Sequence, residues 1–158
     1  MKKVLVVCAL CAIAECSFAL EFRNTAWLMT KEEVVKSESG LFVSEVNLPG
    51  QQQIVFQALV NGHTATVTYI LENDKLISAS YTFRRDIDRA AFDAMKHDLS
   101  DRNGAAAFEK ENLLGWRLER SEIALAHLRD NTTQVSYWEK SYFARINKLT
   151  QTGSTAKN

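Results

Sequence analysis

No charge of one sign dominates this chain: 19 Lys and Arg stand against 19 Asp and Glu in 158 residues. That balance lacks the electrostatic footprint of a general nucleic-acid binder. Apolar runs are short as well. The run from Val4 to Ala14 falls well below the ~20 residues that a bilayer span needs, so no stable membrane span is expected. Cysteine is confined to Cys8, Cys11 and Cys16, and the six glycines form no phosphate-cradling loop. No serine stands in a nucleophile-elbow pattern. What remains is an ordinary folded composition, 46% hydrophobic and 24% charged.

The first nineteen residues read as an address. Met1-Lys2-Lys3 is a short positive start, and Val4 to Ala14 is an apolar stretch of signal-peptide length. Ser17-Phe18-Ala19 puts small residues at the positions a signal peptidase reads, which predicts cleavage after Ala19. A lipid anchor fits poorly, because Cys16 follows Glu15 and Cys11 follows Leu10. The start is of a bacterial type, so the expected destination is the periplasm or the medium. Cleavage removes Lys2, Lys3 and Glu15, leaving one more acid than base, and it removes every cysteine. The mature chain then has no thiol chemistry and must rely on its core.

The remaining sequence alternates helical and strand patterns. Thr30 and Glu33 form a capping box for a short helix that buries Val34 and Val35 and ends near Ser39-Gly40. Leu41 to Leu48 reads as a strand turning at Pro49-Gly50. Gln53 to Val60 and Thr64 to Leu71 flank Asn61-Gly62, a strong hairpin signal. A two-residue turn there pairs Phe56 with Val67 and Ala58 with Ala65, apolar against apolar. Lys75 to Phe83 follows. A three-residue loop at Glu72-Asn73-Asp74 is expected, pairing Tyr69 with Ile77 and Val67 with Ala79. A second helix carries Phe92, Met95 and Leu99 at helical spacing, is capped by Asp86 or Asp88, and stops at Gly104. Ala105 to Asn112 fits either a short helix or a loop. Strands resume over Leu114 to Glu119, Ser121 to Leu128 and Thr133 to Trp138, and Lys140 to Leu149 reads as a closing helix.

The predicted fold is α+β: antiparallel meanders with helices packed on one face, over a single domain spanning 20–149. The order helix, meander, helix, meander allows a tandem repeat with sub-units 20–85 and 86–149. Residues 150–158 are expected to be a disordered tail.

Trp27-Leu28-Met29-Thr30-Lys31-Glu32-Glu33-Val34, ahead of a Tyr-rich meander, resembles the Trp-Gly-Met-Ser/Thr-x-x-Glu-Val opening of uncharacterised exported bacterial proteins. More distantly it is similar to the helix-plus-hairpin units of outer-membrane assembly lipoproteins and of β-lactamase inhibitor proteins. This chain departs from that opening at Leu28, where the pattern has glycine. The resemblance implies a fold and carries no active site with it.

Chemistry is thinly signalled. Asp93, His97 and Asp101 recur at i, i+4 and i+8, a spacing that could hold a divalent metal. A solvated helix face opposite Phe92 and Met95 is the plainer account, and neither metal nor cofactor is expected. His63 and His127 form no tight ligand pair. Glu109, Glu111, Glu119 and Glu122 supply carboxylates for a small envelope hydrolase, since such pairs meet in space without a spacing signature. Trp27, Trp116 and Trp138 fit core packing better than a sugar-stacking platform. Asn131-Thr132-Thr133 matches a glycosylation acceptor, which in a bacterial periplasm signifies no more than a turn.

One pattern stands apart. On the side of the first meander opposite the core lie Gln57, Thr64, Thr66, Thr68, Ser78, Ser80 and Thr82, with Val55, Leu59, Ile70 and Leu76. Hydroxyls, amides and aliphatics without charge desolvate cheaply, which suits docking to a protein. The expectation is an exported, non-catalytic module that binds an envelope or secreted protein. A carboxylate hydrolase and a small-ligand carrier are the alternatives.

Overall fold

The computed structural model describes residues 20–155, with side chains to residue 149. The predicted leader, with Cys8, Cys11 and Cys16, lies outside the described residues, as do residues 156–158.

The order of elements is α1 (Lys31–Ser37), β1 (Leu41–Leu48), β2 (Gln51–Val60), β3 (His63–Glu72), β4 (Lys75–Phe83), α2 (Ala90–Asn103), β5 (Phe108–Lys110), β6 (Leu113–Arg117), β7 (Ser121–His127), β8 (Thr133–Glu139) and α3 (Lys140–Thr155). All eight strands join one antiparallel sheet in the order β1-β2-β3-β4-β8-β7-β6-β5. The architecture is the expected α+β one. Each half is a helix followed by a four-stranded meander, and the two halves meet last strand to last strand, at β4 and β8.

Alternation sends every second side chain to the core. One row runs Ile54, Tyr69, Ala79, Tyr137, Ile123, Trp116 across six strands. The next runs Phe56, Val67, Tyr81, Val135, Leu125, Leu114. Val34 of α1 and Ala91, Phe92, Met95 and Leu99 of α2 belong to the same buried cluster. The opening segment 20–29 is part of this core. Phe22 packs among Tyr69, Tyr81 and Tyr137, and Trp27 donates its indole N–H to Ser121 Oγ of the second half at 2.9 Å. Leu28 N–H donates to the Leu76 carbonyl and Leu76 N–H to the Met29 carbonyl, which fixes the segment to the start of β4.

Several expected details hold. Thr30 and Glu33 make both arms of the capping box. The Asn61-Gly62 hairpin has the register Phe56↔Val67 and Ala58↔Ala65. Both of its turn residues adopt positive φ, 49° and 82°, as a turn matched to strand twist demands.

Other details differ. The β3–β4 connection is a two-residue turn at Asn73-Asp74, with Glu72 opposite Lys75 and Leu71 opposite Leu76. The register then shifts at Ile77, so Tyr69 faces Ala79 and Val67 faces Tyr81. This bulge restores the apolar phase that the shorter turn alone would have broken. It also turns Leu76 into the core, where it is fully buried, rather than onto the opposite side. The stretch expected as helix or loop near Ala105 contains the short strand β5. Finally, α3 continues past Leu149 to Thr155, through the part of the tail expected to be disordered.

Candidate functional site

The side of the sheet away from the core cluster, called here the outer face, gathers the hydroxyl residues singled out from sequence. Thr68 stands between Val55 and Ser80, and Thr66 between Gln57 and Thr82. Thr64 lies opposite Leu59 near the hairpin end. Ser78 shares the side but is only 6% exposed and donates its hydroxyl to the Tyr137 carbonyl at 3.0 Å. It serves the sheet rather than the surface.

The β4–β8 junction extends this face into the second half. One row reads Ser44, Val55, Thr68, Ser80, Ser136, Ala124, Gly115, Phe108 over all eight strands. The next reads Gln57, Thr66, Thr82, Gln134, Ala126, Leu113 from β2 to β6. Neither contains an ionisable side chain. Gln134, Ser136, Ala124 and Ala126 went unread in the sequence as members of the face. Their phase was visible beside Val135, Tyr137, Ile123 and Leu125, but nothing local announces that β4 pairs with a strand fifty residues away.

The margins of the face are aromatic and charged. At the β5 edge the Phe108 ring covers Gly115, where a Cβ would come within 2.0 Å of the ring. Along the end of β8, Trp138 meets Phe143 of α3 with ring centroids 5.3 Å apart. Arg145 of α3 pairs with Glu72, and Arg117 lies 3.7 Å from Glu122. Charge thus returns only beyond the two central rows.

The titratable groups with displaced equilibria lie elsewhere. Burial pushes the Tyr81 hydroxyl up to about 12, against the pull of Arg23. Burial also raises Tyr69, together with its bond to Glu38, and raises Tyr137. Glu38, with a fully buried side chain, accepts from Tyr69 Oη at 2.5 Å, from Gly40 N at 2.6 Å and from Arg23 Nη2 at 3.0 Å. Arg23 Nε lies 2.8 Å from the same carboxylate, a contact that has no hydrogen-bond geometry. This network ties the opening segment to β3 inside the core.

A second chain of groups has the composition of a catalytic triad but another logic. Thr133 Oγ1 donates to Asp86 Oδ2 at 2.6 Å and lies 2.9 Å from His127 Nδ1. With its single proton given to Asp86, the hydroxyl is left to accept from His127. Thr133 is fully buried, so no substrate carbonyl reaches it. Asp86 meanwhile accepts from the N–H groups of Ala91 and Phe92 at 2.9 and 3.0 Å. It satisfies the free amides that open α2, and the chain of groups holds helix to sheet.

The expected metal candidates do not converge. His97 Nε2 lies 3.3 Å from Asp101 with both side chains largely exposed, and Asp93 is exposed on the same helix. Among the described residues no three metal-ligating groups come together. Glu109 pairs with Lys96, Glu122 faces Arg117, and Glu111 and Glu119 are exposed. Trp27 and Trp116 are core residues, 4% and 1% exposed, and Trp138 is half-buried. Phe92, Met95 and Tyr69 are all packed into one core, the arrangement that argues against an apolar ligand cavity. Among the described residues no helix is long and apolar enough to cross a membrane. No family model, curated protein or solved structure matches the chain.

Proposed function

We propose that this protein is an exported, non-catalytic binding module that docks a protein of the cell envelope or its surroundings on the outer face of its sheet. The observation that carries the reading is the uncharged row of small and hydroxyl side chains from Ser44 to Phe108. Docking is costly where charges must be stripped of water and left unpaired. Here the hydroxyls of Thr66, Thr68, Ser80 and Ser136 offer hydrogen bonds, and Phe108 and Trp138 at the margins offer aromatic anchors of the kind that dominate interfaces. Export follows from the Lys2-Lys3 start, the apolar run and the Ser17-Phe18-Ala19 site.

The test combines location and contact. N-terminal sequencing of the protein from a periplasmic or culture fraction is expected to begin at Leu20. Thr66→Lys with Ser80→Glu is expected to abolish the partner adduct formed by cross-linking intact cells, while the circular dichroism spectrum stays unchanged. A full-length cytosolic product would remove export. An unchanged adduct would remove this face.

A further inference from the structure

The two edges of the sheet are built differently. At one end, β5 has three residues, Phe108–Lys110, and two of them, Glu109 and Lys110, are charged. This is a blunted edge. At the other end, β1 is eight residues long, contains no Lys, Arg or Pro, and carries Leu41, Phe42, Val43, Val46 and Leu48 at 44–69% exposure. Its single charge, Glu45, is already paired with Lys31 of α1 at 2.7 Å. A long apolar edge of this kind is a template for another strand.

We propose that β1 is the dimer edge of this protein, pairing antiparallel with β1 of a second copy across a two-fold axis. Pro49-Gly50 makes a two-residue turn with Leu48 opposite Gln51, so Leu48, Val46 and Ser44 spend their backbone groups on β2. Glu45 and Asn47 therefore direct their N–H and C=O outward. Besides the register that sets Asn47 opposite its own symmetry mate and Glu45 against Pro49, which has no N–H, two symmetric registers use them. Placing Glu45 opposite its own symmetry mate sets two carboxylates face to face, which is destabilising. Placing Glu45 opposite the second copy's Asn47 avoids this. It sets Val46 against the second copy's Val46 on the axis and Leu48 beside the second copy's Ser44. The sequence of β1 is thus complementary to itself in the second register.

The blunt β5 edge gives a reason for growth to stop at two. A head-to-tail stack would need β1 to pair along β5, which is three residues long and charged. The isologous β1 contact closes, and the heterologous one lacks a partner of matching length. The inference goes beyond the docking face and does not depend on it.

The experiment uses the protein recovered from a bacterial host expressing the full chain. Sedimentation velocity over a dilution series is expected to show a reversible dimer. Hydrogen exchange is expected to show the Glu45 and Asn47 amides slowing as the dimer fills. Val46→Lys places two ammonium groups across the axis and is expected to weaken the dimer by roughly a hundredfold with an unchanged fold. The exchange measurement needs no variant, so a failure of V46K to fold leaves the test intact. A monomer at every concentration would overturn the proposal, as would a dimer indifferent to V46K. Protection of the two amides that does not vary with concentration would overturn it too, and would place residues 1–19 or a foreign strand on the edge.

Discussion

Leu28 holds a branched side chain on a backbone at φ 69°, the left-handed region where Cβ crowds the carbonyl oxygen. Such a placement costs roughly 1–2 kcal/mol. The hydrogen bonds that bracket it, Leu28 N–H to the Leu76 carbonyl and Leu76 N–H to the Met29 carbonyl, hold the segment there. The side chain is 53% exposed and contributes little burial in return. Leu28→Gly removes the crowding, and although the more flexible unfolded chain offsets part of this, a net gain of about 0.5–1 kcal/mol is expected in urea unfolding. Asp86 makes the opposite case, a residue whose loss is costly. Burial pushes its carboxyl up, but bonds from Thr133, Ala91 and Phe92 outweigh burial and hold it below the usual range. The group therefore stabilises the fold above its unfolded value near pH 4, and that contribution fades as pH falls through the lower folded value. Asp86→Asn is expected to cost about 1–3 kcal/mol at neutral pH. The gap between variant and wild type, followed by denaturation midpoints, should narrow below pH ~4.

Elements defined by neighbours in sequence were the legible ones. The Thr30–Glu33 capping box and the Asn61-Gly62 register are written within a few residues, and both stand as read. The Asn73-Asp74 turn was not legible, because a turn plus a later bulge produces nearly the same alternation as a longer loop. The two differ in register by two residues, Tyr69 meeting Ala79 rather than Ile77 and Val67 meeting Tyr81 rather than Ala79, a shift that leaves the side-chain phase unchanged. Nor was β5 legible, since Phe108-Glu109-Lys110 is too short to show a period and is held by Gly115, Leu114 and Leu113 across the ladder. The Phe108–Gly115 contact gives this element a test. Gly115→Ala puts a methyl group into the Phe108 ring and is expected to destabilise the protein by about 1–3 kcal/mol. In a Phe108→Ala background most of that loss should vanish. A thermodynamic cycle on the two positions measures the coupling.

For the whole molecule, the decisive contact is β4 against β8. It joins two four-stranded halves into one sheet, merges their cores around Tyr81, Val135 and Tyr137, and aligns Ser80 with Ser136 on the opposite side. That one pairing doubles the width of a neutral surface of which the first meander showed only part, because long-range strand pairing leaves no trace in local periodicity. The core face is closed by α1, α2 and the opening segment, and the docking proposed above is placed on the outer face. The most direct measurement is photo-cross-linking in intact cells from a probe residue placed at Ser80, compared with one placed at Asp93 on the exposed side of α2. The docking account predicts one discrete protein adduct from position 80 and none from position 93. Adducts from position 93 alone, or the same adducts from both, would contradict it.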